Sequence, residues 1–271
     1  MPVLYVVATP IGNLEDISLR ALRVLREVKL IAAEDTRSTR KLLSAYGIRT
    51  PLTSFHEFTG ESKTGRLIRE LTEKDIALVS EAGTPAISDP GYNLVHAAVG
   101  AGIPVITVPG PSAVTAALAV SGLAADQFVF VGFLPRRVTE RRRLLVSLAG
   151  DARTLVAFET PHRLREALED ILNIMGDRRM AVCRELTKLH EEVFRGTAGE
   201  VVKYFTCPKG EFTLVIAGLR RDRMLEVSPE VEAELRRLTS GGMGAKESVS
   251  LVAERTGLPK RKLYETVQRL R

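Results

Sequence analysis

Four short loops carry the residues best suited to hold a small molecule. They are Thr9-Pro10-Ile11-Gly12-Asn13-Leu14, Glu34-Asp35-Thr36-Arg37, the run from Glu81 to Gly91, and Pro109-Gly110-Pro111-Ser112-Ala113. Glycine lets a ligand approach the backbone and proline fixes the turn around it, so main-chain amides and carbonyls become the binding groups. One such loop would be only turn punctuation; several on one edge point to a binding site. Familiar nucleotide motifs are missing: no Gly-x-Gly-x-x-Gly occurs. Gly241-Gly242-Met243-Gly244-Ala245-Lys246 lacks the ending and the preceding strand of a phosphate loop. His56, His96, His162 and His190 are scattered, and Cys183 and Cys207 match neither a disulfide framework nor a metal-ligand spacing. No metal is expected, and a reducing cytoplasm is the expected compartment.

These loops need a frame. Strand-like and helix-like segments alternate in the first half: Val3–Ala8, Lys29–Ala33, Ile76–Ser80 and Pro104–Val108 read as strands, and Ser18–Val28, Thr39–Ala45 and Ser112–Ser121 as helices. This alternation predicts a mostly parallel sheet covered by helices, with all four loops at the carboxyl ends of its strands. From Asn93 to Ala125 there is no Asp, Glu, Lys or Arg, but Pro104, Pro109 and Pro111 break the run, so it reads as helix, strand, turn and helix in a protein interior and not as a membrane span. In the second half strands outnumber helices. Gln127–Phe133, Thr154–Phe158, Met180–Arg184, Glu191–Gly196 and Glu211–Ala217 predict a mixed sheet, with helices at Glu140–Ala149, Arg163–Met175 and Gly199–Phe205. The remainder is helical: Pro229–Thr239, Ala245–Thr256 and Pro259–Leu270. The expected organisation is an α/β domain over 1–123, a second α/β domain over 124–220, and a helical, helix-turn-helix-like tail over 226–271.

The net charge is +6, and much of it is local. Arg136, Arg137, Arg141, Arg142 and Arg143 stand against one acid, Glu140. In the tail, Lys260, Arg261 and Lys262 open the last helix. Two such clusters in a basic chain predict a polyanionic partner.

The loop motifs resemble those of the ribosomal RNA small-subunit methyltransferase I family, within the tetrapyrrole-methylase-like class. The match is carried by Pro10-Ile11-Gly12-Asn13-Leu14-Glu15-Asp16-Ile17, Glu34-Asp35-Thr36-Arg37, Ser80 to Gly91 and Pro109-Gly110-Pro111-Ser112-Ala113. Gly132-Phe133-Leu134-Pro135, Arg184-Glu185-Leu186-Thr187-Lys188 and Lys209-Gly210-Glu211-Phe212 continue it, so it spans about residues 2 to 220 and, more loosely, the tail. Glu81 stands where the family commonly has Asp. The resemblance implies two α/β domains with S-adenosylmethionine held between them. It implies 2′-O-methylation of a cytidine ribose in the decoding region of small-subunit (16S) rRNA, by a homodimer. By analogy with the class, cofactor contacts fall on Pro10, Gly83, Thr84, Ile87, Ser112 and Ala113, and on Phe158, Leu186 and Thr213 in the second domain.

A ribose hydroxyl is weakly acidic, so such a reaction calls for a general base or a nearby cation. Asp35, Arg37, Asp89 and Lys188 are the leading candidates, with Glu81, Glu185 and Glu191 as further carboxylates. Asp35 and Arg37, one residue apart after a strand, are expected to point the same way along an extended segment. Two other readings stay open on the residues alone: the same chemistry on a tetrapyrrole or protein side chain, and a nucleic-acid-binding protein without enzymatic activity.

Overall fold

The computed structural model describes residues 1–56, 60–219 and 227–270. The chain separates into two compact units, one of residues 1–149 and 153–217, the other of 150–152 and 218–271. Positions 220–226 and 271, on which the expected boundaries of the second domain and the tail fall, lie outside the described residues.

The larger unit contains two sheets. The first has the order β3-β2-β4-β1-β5, all parallel, from Leu4–Val7 (β1), Leu30–Ala33 (β2), Leu52–Ser54 (β3), Ile76–Val79 (β4) and Val105–Val108 (β5). Its central strands are apolar throughout because helices cover both faces: every residue of β4 is buried. Leu19–Glu27 (α1) and Thr36–Ala45 (α2) share a core with one face, through Leu22, Leu25, Leu42 and Leu43. Glu61–Glu70 (α3) and Tyr92–Gly100 (α4) cover the other, through Leu67, Leu94 and Ala98. α1 starts where the Ser18 hydroxyl accepts the Ala21 amide at 3.0 Å, and buries Ala21, Leu22, Val24 and Leu25 as one stripe.

Ala113–Ser121 (α5) follows β5 and ends at Gly122, whose φ of 73° suits a residue without a Cβ. Its Val114, Ala117 and Leu118 pack on the second sheet, against Val156, Ala181, Cys183 and Val215. That helix joins the two sheets into one unit.

The second sheet has the order β6-β7-β10-β8-β9, from Phe128–Phe133 (β6), Thr154–Glu159 (β7), Arg179–Arg184 (β8), Glu192–Thr197 (β9) and Phe212–Ile216 (β10). Only β6 and β7 pair in parallel; β7–β10, β10–β8 and β8–β9 are antiparallel. It is the mixed sheet that the strand-rich second half predicts. Val138–Leu148 (α6), Pro161–Met175 (α7) and Ala198–Tyr204 (α8) cover its outer face.

Two elements, β3 and α3, went unread in the sequence. β3 has three residues, too short for alternation to register, and α3 carries a glycine at Gly65. The start of α2 also differs from expectation. It begins at Thr36, not Thr39, because the Asp35 carboxylate caps it.

The smaller unit is helical: Pro229–Ser240 (α9), Ala245–Thr256 (α10) and Lys260–Arg269 (α11). They enclose their own core of Leu235, Val249, Val252, Leu258, Leu263 and Val267. Gly257, at φ 70°, ends α10, and Pro259 is the residue from which α11 starts. No helix among the described residues is long and apolar enough to cross a membrane.

Candidate active site

The parallel order of the first sheet brings all four loops, three of them bearing glycine and proline, to one edge. The loops after β1 and β4 are tied together there. The Thr9 amide donates to the Gly83 carbonyl at 2.9 Å, and the Gly83 amide donates back to Thr9 at 3.0 Å. The connection from β1 runs to one side of it, toward β2, and that from β4 to the other, toward β5. Such a reversal opens a crevice at the carboxyl ends of the strands.

The second sheet closes the crevice. Because β10 runs antiparallel to β7 and β8, its first residues lie at their carboxyl ends, where Phe212 pairs with Glu159 and with Arg184. The resulting cleft has a volume of about 290 Å³. Gly83, Thr84, Ile87, Asp89, Ser112 and Ala113 line it from one side. Phe158, Leu186 and Thr213 line it from the other. The structure thus brings together eight of the nine expected contact residues; Pro10 is replaced by its neighbour Ile11. Phe133, Glu159 and Glu211 also line the cleft and were not singled out. Phe133 and Glu211 sit inside motifs that were noted, and Glu159 follows Phe158 directly at the end of a strand, the one signal that pointed to it.

Glycine is required where the two sides meet. A Cβ on Gly12 would lie 2.5 Å from Lys188 Cγ, 2.7 Å from Thr187 Oγ1 and 2.9 Å from the Leu186 carbonyl, so the loop after β1 seats directly on the loop after β8. The non-glycine residues with left-handed backbone among those described are Ala86, Ser88, Glu185 and Thr187. All four belong to the loops after β4 and β8. Conformations this costly persist where surrounding contacts over-determine them, which is how a cleft is held in shape.

The four chemical candidates fare differently. Asp89 lines the cleft. Burial pushes its carboxyl up to about 6, and the charge of Glu34, with that of Glu81, adds to the effect. A carboxylate in this range can accept a proton near neutral pH. Asp35 is committed elsewhere. It accepts the amide of Arg37 at 2.6 Å and that of Ser38 at 3.4 Å, and the Arg37 amide foremost holds it below the ordinary carboxylate range. Arg37 therefore lies in the first turn of a helix, not in an extended segment, and the alternation expected for the pair does not apply. Lys188 contacts Glu185 at 3.0 Å and Glu211 at 2.6 Å. Burial disfavours its charge, but those carboxylates outweigh burial and hold the ammonium above the usual lysine range. Glu185 in turn accepts the Glu211 amide at 2.8 Å, so Lys188 staples the loop after β8 to the start of β10.

The arginine cluster does not form one surface. Arg136, Arg137, Arg142 and Arg143 are exposed, but Arg141 is 1% exposed and faces the interior. Its guanidinium meets Asp170 at 2.7 Å, and Arg142 meets the other oxygen of the same carboxylate at 2.8 Å. Arg141 is thus removed from the cluster expected to face a polyanionic partner, the RNA that the resemblance implies: helical spacing turns it toward α7, where its charge finds a buried partner. In the tail, Lys260 and Arg261 are exposed and Lys262 is half-buried.

This combination, a parallel and a mixed α/β sheet clasping one cleft between loop edges, defines a two-lobed methylase. The tetrapyrrole (corrin/porphyrin) methylase model matches residues 3–202. A model described as the RsmI C-terminal HTH domain matches residues 226–271. The chain belongs to the ribosomal RNA small subunit methyltransferase I family. It is 53% identical over 218 residues to the member from Thermotoga maritima, covering 79% of this chain and 98% of that protein. It is 48% identical to the member from Synechocystis, covering 98% and 97%. In fold it is similar to a solved uroporphyrin-III C-methyltransferase from Thermus thermophilus complexed with S-adenosylhomocysteine. The two share 19% identity and a TM-score of 0.56, over 80% of this chain and 97% of that one.

Proposed function

We propose that this chain uses S-adenosylmethionine to methylate the 2′-oxygen of a cytidine ribose in the decoding region of small-subunit rRNA. The observation that carries the reading is the cleft, whose wall combines glycine-bearing loops and apolar side chains with a few carboxylates, among them the partly buried Asp89. Such walls fit the donor. Carbonyls and carboxylates suit its cationic sulfonium, and Ile11, Val114, Phe158 and Leu186 suit an apolar heterocycle. Gly83, Thr84, Ile87, Ser112 and Ala113 would hold it on one side and Phe158, Leu186 and Thr213 on the other. When bound, S-adenosylmethionine supplies a methyl carbon open to attack in line with its sulfur.

The protein's own residues do the rest. The interlocked loops at Gly12–Leu186 and Thr9–Gly83 fix the cleft, so that most of the rate comes from positioning and exclusion of water. Asp89 takes the proton of the ribose hydroxyl. Arg37, exposed in the first turn of α2 and oriented by the Asp35 cap, meets a phosphate of the substrate. Lys188 acts by holding the cleft wall. The tail, whose family model carries the helix-turn-helix description, presents Lys260, Arg261 and Lys262 to further phosphates. The enzyme works in the cytoplasm as a homodimer, a state supported by family resemblance.

The test has two parts. Calorimetry with S-adenosylmethionine should give about one site per chain. Small-subunit rRNA should accept a methyl group from the labelled donor, and the same RNA with a 2′-deoxy substitution at the target cytidine should accept none. Methylation of the deoxy substrate would place the acceptor on a base atom and overturn the mechanism.

A further inference from the structure

Much of the positive charge that the sequence displays in runs is paired in the folded chain. Arg137 meets Glu140, Arg141 and Arg142 meet Asp170, and Arg261 meets Glu265. Arg255 meets Glu234 and Arg269 meets Glu232. A different set of cations is dispersed in the sequence and gathered by the fold. α1 and α2 share one core on the same face of the first sheet. They are also linked by hydrogen bonds: Arg26 donates to the Tyr46 carbonyl at 3.2 Å, and the Tyr46 hydroxyl donates to the Leu14 carbonyl at 2.6 Å. Each helix begins at the sheet edge that carries the cleft.

The solvent side of this layer is basic. Arg20, Arg37, Arg40 and Lys41 are exposed, and Arg20, Arg40 and Lys41 form no ion pair among the described residues. On α2, Arg37, Arg40 and Lys41 follow at i, i+3 and i+4, so they share one face. With a rise of 1.5 Å per residue, Arg37 and Lys41 are about 6 Å apart along the axis. The stripe starts beside the cleft. The Ser38 hydroxyl donates to Glu81 at 3.2 Å, which sets the first turn of α2 against the loop that bears Asp89.

We infer that the outer face of α2, with Arg40 and Lys41 at its centre and Arg20 on the neighbouring α1, carries the sugar–phosphate backbone of a single-stranded RNA segment to the cleft. This rests on the RNA substrate proposed above. Unpaired guanidinium and ammonium groups on a rigid helix suit phosphate oxygens. The ribose hydroxyl must reach a donor held inside a cleft of only about 290 Å³, which a duplex cannot enter, so the strand that feeds it is unpaired there.

The experiment measures the affinity of the full chain for a fluorescent single-stranded RNA from the small-subunit rRNA across a salt series. Each lost contact to single-stranded RNA lowers the slope of log K against log salt by about 0.7. The double variant Arg40→Ala, Lys41→Ala should therefore lower the slope by about 1.4 and weaken binding roughly 25-fold at 0.1 M salt. Calorimetry should show unchanged donor affinity, which verifies the fold. The charge-conserving Arg40→Lys, Lys41→Arg variant should restore the slope. If the wild type binds this RNA steeply and the alanine variant keeps both affinity and slope, the surface assignment is wrong and the RNA reading stands. If the wild type binds no RNA, both fall.

Discussion

Replacing Asp89 by asparagine should disable the enzyme and stabilise the protein at once. Its carboxyl titrates near 6 in the folded chain against an ordinary 3.8, chiefly because burial penalises the charged form. Between those values the folded state keeps a proton that the unfolded state has released. The carboxylate's cost is therefore absent below pH 3.8, grows as pH rises, and is complete above pH 6. The whole difference corresponds to roughly 3 kcal/mol. Asp89 is only half-buried, and solvent screening brings the expectation to about 1–2 kcal/mol. In a unit of this size that is a rise in Tm of about 3–6 °C. Asp89→Asn keeps the shape and removes the charge, so thermal unfolding at pH 8 should show that rise, and at pH 4 the two proteins should melt together. Turnover of the variant should fall by about 10²–10⁴ with donor affinity retained, the usual contribution of a general base. The wild-type rate should climb through pH 6 and level off above it. A variant less stable than wild type at pH 8 would mean that the carboxylate makes contacts the fold needs. A variant with a wild-type rate and pH profile would remove Asp89 from the chemistry.

The buried Arg141–Asp170 pair should be costly to break from one side. Asp170→Ala leaves the 1%-exposed Arg141 without its closest counter-charge and should lose about 3–5 kcal/mol in urea unfolding, while an Arg141→Met, Asp170→Leu double variant recovers most of it. Equal losses in the single and double variants would show that packing, not charge, is at stake. Gly12→Ala pushes a methyl group into Lys188 Cγ and the Leu186 carbonyl, so it should weaken donor binding at least tenfold with little change in the secondary structure seen by circular dichroism. Undiminished donor affinity in that variant would mean that the two loops move independently.

The chain's own residues announced the parallel sheet, the mixed sheet and the helical tail, because buried strands read as apolar runs and helices as periodic stripes. They also marked the cleft loops. Gly83, Ser112 and their neighbours follow strands, and a rule about strand ends places all such loops on one edge without any coordinates. What local pattern could not reveal is where a side chain finds its partner. Asp35 and Asp89 are both aspartates after a strand. One meets two backbone amides and becomes a helix cap, while the other is desolvated beside Glu34 and becomes a candidate base. Arg141 and Arg142 are consecutive, yet helical geometry sends the first inward to Asp170 and leaves the second at the surface. Arg20 and Arg40 are far apart in sequence and belong to one basic layer only because α1 and α2 pack on the same core. Desolvation, charge pairing and surface accumulation of charge all depend on distances through space, and these exist only once the helices have packed on their sheets.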